Sequence, residues 1–208
     1  MRQRPLATGF VSLFAAALVL FGMASRAVAQ LPTARLFSVY PAGGKQGTTV
    51  EVTVTGGDLE EVNQLYFDHA GIKAELVPEM KDGKPVPIPA AGPAKFKVTI
   101  APEVPLGLHD VRAIGRFGIS NPRTFVVGDM IEVNETEPNN VLTAATRVLA
   151  DKVPSITVNG QINGATDIDY FVFSARAGQR ILVDCYGQRI DSRLNGRLTL
   201  TTPTGAQL

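Results

Sequence analysis

The chain has 208 residues, a net charge of +1, two histidines, one cysteine and no tryptophan. So even a charge balance gives no basic footprint for nucleic acid or an anionic lipid surface, which excludes those partner classes. A lone cysteine excludes an internal disulfide, so stability has to come from apolar cores and from any bound metal.

Residues 1–29 carry the parts of a secretory signal peptide: Arg2 and Arg4, an apolar stretch from 10 to 22, and Ala27-Val28-Ala29 before Gln30. The apolar stretch falls short of the roughly twenty residues a membrane-spanning helix needs, so cleavage and export to the periplasm or the extracellular space are expected. The mature chain is then expected to have no membrane span. The leader holds Arg2, Arg4 and Arg26 and no acid, so +1 less 3 leaves −2 on the mature part.

Period-two patterns follow. Val50, Val52 and Val54 alternate with Glu51, Thr53 and Thr55, and Phe96, Val98 and Ile100 sit among Lys95, Lys97 and Thr99. Both predict strands with one apolar face. Shorter apolar runs at 65–67, 108–114 and 124–127 are separated by Gly and Pro, which predicts an all-β chain of sandwich type. Prolines at 78, 85, 87, 89 and 93 predict an exposed loop. His69 falls in a predicted turn and His109 in a strand, and no motif places partners for catalysis around either. Asp184 and Asp191 read as turn and strand-edge residues, and Cys185 as a buried strand residue on the face of Ile181 and Val183. No catalytic residue is predicted, and the chain is expected not to be an enzyme.

The runs Pro41-Ala42-Gly43-Gly44-Lys45-Gln46-Gly47-Thr48-Thr49-Val50, Val54-Thr55-Gly56-Gly57-Asp58-Leu59, Pro105-Leu106-Gly107-Leu108-His109-Asp110-Val111-Arg112 and Gly118-Ile119-Ser120-Asn121 resemble immunoglobulin-like TIG (IPT) modules. The resemblance implies an Ig-like sandwich over 30–128. Leu59 and Leu106 are placed to cap its two sheets.

The densest chemistry lies further on, in Glu135-Thr136-Glu137-Pro138-Asn139-Asn140 and Asp167-Ile168-Asp169-Tyr170-Phe171. Four carboxylates and two amides, folded together, make an all-oxygen pocket suited to a hard cation such as Ca²⁺. In an extended strand Asp167 and Asp169 point the same way, with Ile168 turned into the core. The same residue types also serve plain backbone roles, and Asn139 or Asn140 could instead cap a short helix over 141–148. Asn134-Glu135-Thr136 fits a glycosylation sequon that overlaps this cluster.

Together with Val158-Asn159-Gly160-Gln161-Ile162, Ala177-Gly178-Gln179-Arg180, Ser192-Arg193-Leu194-Asn195-Gly196-Arg197-Leu198-Thr199-Leu200 and Pro203-Thr204-Gly205, these motifs resemble the bacterial pre-peptidase C-terminal domain. That resemblance implies a jelly-roll-like β-sandwich, and some family members bind Ca²⁺ at the matching motifs. Carried over, it implies Glu135, Glu137, Asn139 and Asn140 on one side of an ion and Asp167 and Asp169 on the other. The expected layout is a signal peptide at 1–29, a TIG-type sandwich at 30–128, an acidic linker at 129–140 and a second sandwich at 141–208. That sandwich is expected to lack its last strands, as the front part of a longer exported protein would.

The function expected is a non-catalytic binding or adhesion module pair for an extracellular polysaccharide or protein, with Ca²⁺ stiffening the junction. The alternatives are ancillary domains of a secreted hydrolase whose catalytic domain lies elsewhere, or a cell-envelope spacer.

Overall fold

The computed structural model describes residues 31–85, 92–148 and 155–208. The signal peptide lies outside the described residues, as do Pro87 and Pro89 of the proline-rich segment. Fifteen strands are formed among the described residues, and the chain is all-β, with only two single-turn 3₁₀ segments, Leu142–Ala144 and Gln188–Ile190.

The first half is built from β1 (Arg35–Tyr40), β2 (Gly43–Lys45), β3 (Thr49–Gly57), β4 (Gln64–Phe67), β5 (Ile72–Val77), β6 (Met80–Lys81), β7 (Lys84–Pro85), β8 (Ala94–Ile100), β9 (Gly107–Gly115), β10 (Gly118–Ile119) and β11 (Arg123–Gly128). One sheet runs β1-β3-β8-β5; the other runs β10-β9-β11-β2, with β4 also on β9. The alternation read in the sequence sets the register. Val52 lies opposite Phe96 and Val50 opposite Val98, while Glu51 faces Lys97 on the solvent side.

Between the sheets, Leu36, Val52, Val54, Phe96, Val98 and Ile100 meet Leu65, Phe67, Val111, Phe125 and Val127 in one buried cluster. Phe67 and Phe125 pack edge to face with ring centroids 5.3 Å apart. Fully burying side chains of this size is worth roughly 1.5–3 kcal/mol each, which makes this cluster the main source of stability in the first half. Gly43 shows how tightly the parallel β2–β11 pairing is drawn, since a Cβ there would meet the Val126 carbonyl oxygen at 2.3 Å. Leu59 packs against the core as expected. Leu106 is exposed, whereas Val104, two residues earlier, is fully buried in the core cluster. Part of the proline-rich segment forms the β6–β7 hairpin rather than a plain loop, with Pro85 at the end of its short strand.

His109 is 8% exposed in β9. Its Nδ1 lies 3.0 Å from Asp68 and its Nε2 2.9 Å from the Pro105 carbonyl. His69 sits in the turn that leads into β5, its Nδ1 accepting the Gly71 amide at 3.0 Å. Both histidines therefore have local structural partners.

The second half adds β12 (Ile131–Asn134), β13 (Thr146–Arg147), β14 (Ile156–Asn159) and β15 (Phe171–Val172). They form two parallel pairs, β12–β14 and β13–β15. The helix expected over 141–148 is absent. A single turn at Leu142–Ala144 has no side-chain cap and gives way to β13, because Thr146 and Val148 donate their amides to Tyr170 and Val172. Cys185 is exposed instead of buried, along with Ile181, Val183 and the 92%-exposed Leu182, because no strand among the described residues pairs with this segment to create an inner face. Asp184 is held by the Arg189 guanidinium, and Asp191 accepts the Thr124 hydroxyl of β11 at 2.8 Å. No helix among the described residues is long and apolar enough to cross a membrane.

Candidate metal centre

The parallel β12–β14 ladder ends with Asn134 opposite Asn159, and the Glu135 amide extends it by donating to the Asn159 carbonyl at 2.9 Å. This places Glu135 beside the turn after β14, where its Oε1 accepts the Gln161 amide at 2.5 Å. Gly160 at that turn lets both carboxylates come close. A Cβ there would stand 3.0 Å from Glu135 Oε2 and 3.4 Å from Asp169 Oδ2.

Asp169 arrives from the segment that enters β15. Three backbone bonds hold that segment: Thr146 N–H to the Tyr170 carbonyl and Val148 N–H to the Val172 carbonyl, each 2.8 Å, along the β13–β15 pairing, and Tyr170 N–H to the Asn139 carbonyl at 3.0 Å. As a result, one carboxylate oxygen each from Glu135, Glu137 and Asp169 lies within 4.8 Å of the others. Oxygens so spaced could hold a metal ion, since two ligands on opposite sides of a cation bound at about 2.3–2.6 Å are roughly 5 Å apart.

Asn139 lies beneath these carboxylates with 0% exposure. Its amide N–H donates to Glu137 Oε2 at 2.9 Å, and its Nδ2 lies 3.4 Å from both Glu135 Oε2 and Thr146 Oγ1. The buried Thr146 hydroxyl accepts the Thr136 amide at 3.0 Å, which ties the acidic segment to β13. Asn139 Oδ1 and Asp169 Oδ1 are buried with no hydrogen-bond partner among the described residues. Each such oxygen costs roughly 1–3 kcal/mol unless something electropositive meets it, so the residues present fit a cation.

The electrostatics point the same way. Burial, then the charges of Asp169 and Glu137, push Glu135 from its ordinary 4.5 up to about 7, against the opposing hydrogen bonds from Gln161 and Asn139. Asp169 is also raised, first by burial and then by Asp167 and Glu137. Tyr40, reaching in from β1, is pushed up to about 12 by burial and then by Glu135, Asp169 and Glu137. Negative charge is thus crowded here without a compensating cationic side chain in any of these three shifts.

The other two predicted residues sit alongside. Asn140 Nδ2 donates to Asp167 Oδ1 at 2.5 Å, and Asp167 Oδ2 accepts the Asn163 amide at 2.6 Å. Asn163 Nδ2 also reaches Glu137 Oε1 at 3.1 Å, linking this pair to the three-carboxylate group. Asp167 and Asp169 do not share a regular strand. The Asp167 amide closes a turn onto Gly164, the ladder begins only at Phe171, and Ile168 is 56% exposed instead of buried in the core. Asn134 ends β12, where its Oδ1 accepts Asn159 Nδ2 at 3.2 Å. Tyr40, Thr146 and Asn163 were not legible as site residues; Gly160 and Gln161 fell within a motif of the pre-peptidase resemblance without a role.

Compared with known proteins, the chain matches no family model and no curated protein.

Proposed function

We propose that this is an exported, non-catalytic binding module pair in which a cation, Ca²⁺ by its chemistry, stiffens the segment joining the two halves. The observation that carries this reading is the convergence of Glu135, Glu137 and Asp169, with Asp169 Oδ1 buried and unpartnered among the described residues. An oxygen-only donor set on turns and loop segments suits the flexible, high coordination of Ca²⁺ better than the strict octahedron of Mg²⁺ or the nitrogen and sulfur sites of zinc. Binding would replace carboxylate repulsion with attraction and order the acidic segment, so that free energy of binding becomes free energy of folding. The ligand class proposed is an extracellular polysaccharide or protein, and export rests on the leader at 1–29.

Calorimetric titration of the purified chain with Ca²⁺, paired with thermal melts in Ca²⁺ and in chelator, tests the reading. Heat of binding together with a raised melting temperature is expected. A folded chain that gives no heat and melts identically in both conditions overturns it.

A further inference from the structure

Tyr40 is the last residue of β1, a strand of the first sandwich, yet its hydroxyl donates to the Asn159 carbonyl at 3.2 Å, in the second half of the chain. That carbonyl is the same one that accepts the Glu135 amide at 2.9 Å. One oxygen therefore receives both a metal-cluster residue and the first sandwich. The next residue, Gly160, lies against the carboxylates of both Glu135 and Asp169. Tyr40 is itself firmly placed, because β1 pairs with β3 through Tyr40 opposite Thr53 and β3 lies next to the central β8 of the core sheet.

We propose that Tyr40 is the positioning residue through which cation occupancy at Glu135, Glu137 and Asp169 is transmitted to the first sandwich. This inference rests on the cation reading above and adds a residue that couples the cluster to the first sandwich. A cation drawing Glu135 and Asp169 together fixes the Asn159–Gly160 turn that both carboxylates border. A fixed turn holds the Asn159 carbonyl at the phenol, so the end of β1 opens less often. The same link runs in reverse, and a phenol that pins the turn preorganises Glu135 for the ion. The field of the three carboxylates at the phenol supports this closeness. Neither of the other buried hydroxyl and amide partners of the cluster, Thr146 and Asn139, belongs to the first sandwich.

The test is amide hydrogen exchange on the purified chain and on Tyr40→Phe, each in Ca²⁺ and in chelator, with cation uptake measured separately by equilibrium dialysis with radioactive Ca²⁺. In the parent chain, Ca²⁺ is expected to slow exchange in β1 as well as in β12 and β14. In Tyr40→Phe, Ca²⁺ still binds, roughly three- to tenfold more weakly as befits one lost hydrogen bond, and slows β12 and β14 but no longer β1. Unchanged protection of β8 in the variant shows that the core sheet is intact. If the parent binds Ca²⁺ and β1 does not respond, or if Tyr40→Phe keeps the β1 response, the coupling through Tyr40 is overturned while the cation reading stands. If the parent takes up no Ca²⁺ in dialysis, both are overturned together.

Discussion

Lowering the pH should release the cation, and Glu135 sets the range. In the cation-free protein its carboxyl titrates at about 7, pushed up by burial and by Asp169 and Glu137. A cation needs the carboxylate, so each binding event at acidic pH must first displace a proton. With one such group, apparent affinity for Ca²⁺ would be about tenfold lower at about pH 6 than at about pH 8. Glu135 is partly open to solvent, and screening trims that change to about three- to tenfold. Calorimetric titrations in buffers of different ionisation heat measure both quantities at once, the affinity and the protons released. Proton release should grow as pH falls below about 7 and vanish well above it. Glu135→Gln should bind more weakly at every pH and lose most of the slope in this window. The sign for the cation-free fold follows from the same group. An acid whose folded value lies above its unfolded one binds more protons when folded, so stability is highest in acid and declines as pH rises from 4.5 to about 7. An affinity for Ca²⁺ that stays flat across neutral pH, with no proton release, would refute the placement of Glu135 at the ion.

Gly160→Ala should weaken Ca²⁺ binding by up to about tenfold in the same titration, because its Cβ would stand 3.0 Å from Glu135 Oε2 and the carboxylate has to give way slightly. Thr146→Val keeps the shape but removes the hydroxyl that accepts the Thr136 amide, and the expected cost is about 1–3 kcal/mol in chemical denaturation. Phe96→Ala, at a fully buried position of β8, should cost about 3–5 kcal/mol in the same assay. His109→Ala strips the contacts to Asp68 and Pro105 and leaves a cavity in a buried site, so a lower melting temperature is expected with Ca²⁺ affinity unchanged.

Much of the fold was legible because strand faces depend on nearest neighbours. The alternation of Val52 with Thr53, and of Phe96 with Lys97, states which side is wet before any partner is known, and the β3–β8 register honours it. The acidic motif was legible as oxygen-rich chemistry for the same local reason. Local pattern failed where a segment's face depends on whether a partner strand is present. Ile181, Val183 and Cys185 have the right spacing for a buried face, yet no strand among the described residues covers them, and they stand exposed. Near the cluster, the Gly164 turn cut short the extended run that would have buried Ile168, and bonds to Tyr170 and Val172 drew Thr146 and Val148 out of a helix.

By itself, the sequence determined the all-β class, the inward faces of β3 and β8 and the oxygen character of the acidic segment, because these depend on residues within a few positions of one another. Only the tertiary structure decided that Asp169 joins Glu135 and Glu137 while Asp167 turns to Asn140 and Asn163, and that Tyr40 closes on the same turn from the first sandwich. Those choices depend on which carbonyl each amide and hydroxyl finds across long separations in the chain, and that is settled by the β12–β14 and β13–β15 pairings rather than by spacing along the sequence.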